Sequence, residues 1–195
     1  KGYGYEPAQQ DPFRYHGVGA FEVASGRFRP SRPGPPRYQD VFADTLIRLA
    51  REDRRIVGIT AAMADGTGLD RFRDAFPDRF YDVGIAEQHA VTAAAGMAAG
   101  GLRPVFAVYS TFLTRAFDQV NLDVGLHGQK VIFCLDRAGV TGDDGASHHG
   151  ILDMVLLTKV PGMTLLAPSS YQELQAMLHD AIALAEGPVT IRWPK

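Results

Sequence analysis

Val131-Ile132-Phe133-Cys134-Leu135-Asp136-Arg137-Ala138-Gly139-Val140-Thr141-Gly142-Asp143-Asp144-Gly145-Ala146-Ser147-His148-His149-Gly150 passes from an unbroken apolar run into a loop of glycines and ionisable side chains. A short run apolar at every position is what a strand buried on both faces of a parallel sheet looks like. The glycines that follow permit positive φ angles and close backbone approach. In open α/β sheets the ligand crevice lies outside the carboxyl ends of the strands, so this junction predicts both the fold class and a place for chemistry.

Working outward, the same alternation recurs. Ile56 to Thr60, Val105 to Tyr109, Thr164 to Ala167 and Val189 to Arg192 read as strands. Helical patterns lie between them, from Val41 to Glu52, Ala86 to Gly100, Phe112 to Leu126, Ile151 to Leu157 and Tyr171 to Ala185. Alternating strands and helices predict a doubly wound, mostly parallel α/β sheet flanked by helices. The alanine-rich helix from Ala86 is expected to be buried. Residues 38–195 form the predicted domain. Residues 1–37, broken by glycine and proline throughout, predict a linker or extended arm. The arm carries Tyr3, Tyr5, Phe13, Tyr15, Phe21 and Phe28, too many aromatics for a free tail, so it should pack along a surface.

The chain has 195 residues, 46% hydrophobic and 22% charged, enough for one domain with a real core. A formal net charge of -2 and a pI near 6.3 argue against a nucleic-acid or anionic-membrane partner. Nothing reaches the roughly 20 apolar residues that span a bilayer. The lone Cys134, set in an apolar run, cannot form an internal disulfide and fits a reducing cytoplasm. The start at Lys1-Gly2 and the end at Pro194-Lys195 are abrupt, which predicts a boundary set by processing, proteolysis or design.

Four segments follow predicted strands: Asp82 to His89, Tyr109 to Arg115, Asp136 to Gly150, and Arg192 to Lys195. Glu87 opens an otherwise apolar helix. It either complements the helix macrodipole or serves as a desolvated carboxyl for acid-base work. Phe112 is either core or a flat face for a ring. Arg115 either pairs with Asp118 or grips a phosphate. The adjacent His148 and His149 are not expected to form a metal site, because neighbouring rings rarely converge on one ion.

Asp82-Val83-Gly84-Ile85-Ala86-Glu87-Gln88-His89, Tyr109-Ser110-Thr111-Phe112-Leu113 with Arg115, and Asp136-Arg137-Ala138-Gly139 to His148 together resemble signatures of the thiamine-diphosphate transketolase-like superfamily. Within it, they resemble the 1-deoxy-D-xylulose 5-phosphate synthases. Lys1-Gly2-Tyr3-Gly4-Tyr5-Glu6-Pro7-Ala8 is similar to the linker out of that family's first domain. The resemblance implies condensation of pyruvate with D-glyceraldehyde 3-phosphate, with loss of carbon dioxide, in a cytoplasmic homodimer. It implies that Glu87 meets N1′ of the cofactor's aminopyrimidine, with Ile85 and Phe112 on the cofactor. Tyr109, Arg115, Arg137 and Lys195 would lie around the aldehyde substrate and its phosphate. Asp144, His148 and, on the linker, His16 would lie near the reacting carbons. Lys195 stands where the family often has arginine, which removes the planar fork. His149 falls at a variable family position and receives no role. The family's diphosphate and Mg2+ ligands, in a Gly-Asp-Gly to Asn motif, do not occur in this sequence, so the segment alone should bind neither. A transketolase, a pyruvate dehydrogenase β-like domain and a non-catalytic dimerisation fragment are the alternatives.

Overall fold

A computed structural model describes residues 2–30 and 34–195; Lys1 and Pro33, both in the predicted arm, lie outside the described residues. The chain divides into two compact units, Lys1–Pro35 and Pro36–Lys195.

In the first unit the glycines and prolines do not prevent local order. Helix α1 spans Glu6–Gln10 and places Pro7 in its first turn, where the missing N–H costs nothing. Phe21 and Phe28 form an antiparallel bridge. Tyr5, Tyr15, Phe21 and Phe28 pack on one another, with Tyr15 and Phe28 centroids 5.0 Å apart. The Tyr15 hydroxyl donates to Gly26 O at 2.6 Å and the Tyr5 hydroxyl to Val23 O at 2.7 Å. The arm's aromatics thus find a surface in each other, although Tyr3 and Phe13 stay exposed.

The second unit begins with α2 (Tyr38–Glu52), whose first turn is closed by Arg37 and Asp40. It continues through β1 (Ile56–Thr60), the short helices α3 (Ala64–Thr67) and α4 (Leu69–Ala75), and β2 (Phe80–Asp82). Then come α5 (Glu87–Ala99), β3 (Arg103–Tyr109), α6 (Ser110–Leu113) and α7 (Phe117–Gln119). After β4 (Ile132–Asp136) follow α8 (Asp153–Leu157), β5 (Thr164–Leu166), α9 (Tyr171–Ala183) and β6 (Val189–Arg192). Among the described residues these strands form one parallel sheet in the order β2-β1-β3-β4-β6-β5.

Strand alternation divides the core. Val105, Ala107, Ile132 and Cys134 face α2 and α9, with Phe42, Leu46, Leu174 and Leu178. Phe106, Val108, Phe133 and Leu135 face α5, with Ala90, Val91 and Ala94. Two local expectations need correction. The run from Phe112 to Leu126 is not one helix: a 3-10 turn at Thr114–Ala116 and a π turn at Val120–Gly125 interrupt it. There the backbone at Gly125 lies so close to Val160 that an added Cβ would sit 2.5 Å from Val160 Cγ1, so packing overrides propensity. Helix α5 is buried on one face only; Gln88, His89, Thr92, Gly96 and Ala99 are exposed. Strand β2 and helices α3 and α4 lie in a stretch the sequence pattern left unassigned.

Candidate active site

The strand order reverses between β1 and β3: the connection leaving β1 runs outward to β2, and the connection leaving β3 runs the opposite way to β4. Such a switch point opens a crevice at the carboxyl ends. Tyr109 closes β3 there: its N–H approaches Met63 Sδ at 3.2 Å, and its hydroxyl lies against Gly66, where an added Cβ would come within 2.1 Å. Met63 and Gly66 are site neighbours that sequence patterns did not single out, because glycines break the short helices around them.

Glu87 is the first residue of α5 and only 1% exposed. Its Oε1 accepts from Arg115 Nη1 at 3.0 Å. Arg115 is thus the counter-ion of Glu87, and among the described residues it forms no ion pair with Asp118. The same guanidinium lies 4.9 Å from the Phe112 centroid, so one arginine touches both the buried carboxyl and the aromatic face. Ile85, two residues before Glu87, is 79% exposed.

Phe112 lies nearly parallel to Tyr109, with centroids 6.0 Å apart, and meets the His148 ring edge-on at 5.4 Å. The guanidinium of Arg137 sits 4.0 Å over the Tyr109 ring and 3.2 Å from Asp144. Lys195 Nζ donates to Asp143 Oδ1 and Asp144 Oδ1, both at 2.7 Å. These hydrogen bonds, with Asp143 foremost, raise the affinity of Lys195 for its proton, and the same contact lowers the pKa of Asp143. Burial raises the pKa of Tyr109, against the opposing effect of Arg137. Tyr109, Phe112, Arg137, Asp144, His148 and Lys195 thus form one connected group, and Glu87 joins it through Arg115. His16 belongs to the first unit, where its N–H donates to Phe13 O at 3.0 Å.

Asp136 ends β4 and is buried at 3% exposure. Its Oδ1 accepts from Arg137 N at 2.6 Å, while Oδ2 and the nearby indole nitrogen of Trp193 each lack a completed hydrogen bond. Burial pushes the Asp136 pKa up to about 6, with Trp193 and Arg137 pulling the other way. Arg137 itself holds a left-handed φ of 57°, which turns its side chain back over Tyr109. The donor set suits a nitrogen heterocycle: a buried acceptor, Glu87, and a partly exposed flat ring, Phe112, share one arginine.

Residues 35–195 match the family described as transketolase, pyrimidine binding domain. The chain is 54% identical over its whole length to 1-deoxy-D-xylulose-5-phosphate synthase of Gloeobacter violaceus and 56% identical to 1-deoxy-D-xylulose-5-phosphate synthase 1 of Geobacter sulfurreducens. It spans 31% and 30% of those relatives. Among solved structures, a split gene transketolase, described as an inactive beta4 tetramer, superposes with a TM-score of 0.73 at 30% identity, covering 83% of this chain and 53% of that one. Transketolase from Leishmania mexicana shares the fold at a TM-score of 0.73 and 18% identity, over 85% of this chain and 26% of its own.

Proposed function

The chain belongs to the family of transketolase pyrimidine-binding domains, and from that premise we propose that it forms the pyrimidine-side wall of a thiamine-diphosphate-dependent 1-deoxy-D-xylulose-5-phosphate synthase. A bound thiamine diphosphate would supply a nucleophilic carbon and an electron sink for the decarboxylation of pyruvate. The chain's own residues do the rest. Glu87 holds a proton at N1′ of the aminopyrimidine from a dry position. Arg115 fixes that carboxylate, and Phe112 stacks on the pyrimidine, with Ile85 beside it. Arg137 and Lys195 supply the positive charge for the phosphate of D-glyceraldehyde 3-phosphate, and Tyr109 orients Arg137. Asp144 holds these two cations until substrate arrives, and with His148 meets hydroxyls or moves protons at the reacting carbons. We further propose that the diphosphate and Mg2+ ligands lie in a part of a longer protein outside residues 1–195, and that the longer protein is a cytoplasmic homodimer.

The observation that supports this reading most directly is Glu87, buried at the start of α5 and joined through one arginine to the Phe112 face. In the longer protein, Glu87→Gln should lower carbon dioxide release from pyruvate in the presence of glyceraldehyde 3-phosphate by roughly 100-fold or more. Unchanged release would remove Glu87 from the mechanism. A transketolase would instead accept ketose phosphates as donors, and a dehydrogenase component would acylate lipoyl groups; either activity in place of the condensation would replace the synthase reading.

A further inference from the structure

His149 is left unused by this mechanism, yet it is hydrogen-bonded into the 139–150 loop. At the loop's base Gly139 and Gly150 exchange two backbone hydrogen bonds, each of 2.8 Å. That base is pressed against α6: a Cβ on Gly150 would lie 2.5 Å from Ser110 Oγ and 2.7 Å from Arg137 O. One step inward, the N–H of Thr141 donates to His149 Nδ1 at 3.2 Å, and Thr141 Oγ1 lies 3.1 Å from the same nitrogen. Thr141 is 5% exposed, so this contact is shielded from water. The segment enclosed between them consists of two 3-10 turns, Gly142–Asp144 and Ala146–His148, joined at Gly145 with φ 84°. Thr111 Oγ1 ties the second turn to α6 by donating to Ser147 O at 3.2 Å.

We propose that His149 is a positioning residue whose Nδ1 accepts the Thr141 N–H, clasps the loop shut and fixes where Asp144 and His148 point. An imidazole accepts at Nδ1 only when neutral with its proton on Nε2, so the clasp demands one tautomer. His148, next in the chain, is committed elsewhere: its Nδ1 lies 3.0 Å from Ser147 Oγ and its ring against Phe112. The clasp rests on these hydrogen bonds alone, and its bearing on catalysis rests on the function proposed above.

Nitrogen-resolved imidazole NMR of the chain at about pH 9, where ordinary imidazoles are neutral, reads the tautomer directly. The expected result is Nε2–H at His149. His149→Phe keeps the ring but removes the acceptor. It should speed amide exchange at Thr141 and across 142–148 by roughly 3- to 10-fold, with β4 unchanged. His149→Gln, whose side-chain oxygen can accept, should restore slow exchange. An Nδ1–H tautomer in the unaltered chain, or exchange within about twofold in His149→Phe, overturns the clasp. The tautomer measurement needs no variant, so a misfolded substitution leaves the question decided. Because no turnover is measured, loss of the clasp and failure of the Glu87 assay are separate outcomes.

Discussion

Asp136 sits at the end of β4 with a carboxyl that folding makes harder to ionise, at a pKa of about 6 against an unfolded value of 3.8. Between those values the folded state holds a proton that the unfolded chain has released, so stability falls as pH rises from about 4 to 6 and stays lower above. Asp136→Asn should flatten that fall and add about 1–3 kcal/mol at pH 7–8, read from urea midpoints across pH. Arg115 makes the opposite case. Arg115→Ala would strand a carboxylate that is 1% exposed and should cost about 1–3 kcal/mol, whereas Asp118→Ala should change stability by less than about 0.5 kcal/mol in the same assay. Equal losses would show that Glu87 does not depend on this guanidinium. The residue types at Glu87, Phe112 and Tyr109 were legible because buried acids and flat rings after strands suggest chemistry. The Arg115–Glu87 partnership was not, because the two lie 28 positions apart and meet only when α5 packs beside the end of β3.

The strands were the most readable elements. A strand of a parallel sheet is buried on both faces, so β3 and β4 carry continuous apolar runs at Val105–Val108 and Ile132–Leu135, and β1 and β6 are short, largely apolar stretches. What escaped was short or punctuated: β2 has three residues, and Gly66 and Gly68 fall within and between α3 and α4. The Phe112 to Leu126 run shows the converse error, since its helical period is real but the close approach at Gly125 breaks the geometry. Gly150 tests how far an element depends on a single missing methyl group. Gly150→Ala has to push against Ser110 and the Arg137 carbonyl, and backbone yields poorly. We expect a loss of about 2–4 kcal/mol in thermal or urea unfolding, together with loosening of the 139–150 loop. A neutral substitution would mean that the loop base is not seated on α6.

At the scale of the whole molecule, the α/β class followed from alternation alone, but the order β2-β1-β3-β4-β6-β5 did not, because register across a sheet is decided by contacts far apart in sequence. The crevice at the β1–β3 reversal could therefore be located only once the sheet was assembled. Residues 1–195 supply a pyrimidine-side wall and, on our reading, no diphosphate ligands. Titrating thiamine diphosphate with Mg2+ into this chain should accordingly give a Kd weaker than about 0.1 mM by calorimetry, and tight magnesium-dependent binding would overturn that division of labour. The sheet itself carries one more consequence. Both of its outermost strands, β2 and β5, are only three residues long. Each margin presents too few open N–H and C=O groups to template a further strand from another chain. When copies of this protein adhere to one another, the adhesion should run through side chains on helix faces: it should yield to point substitution there, leave the far-ultraviolet spectrum unchanged and form no cross-β fibre.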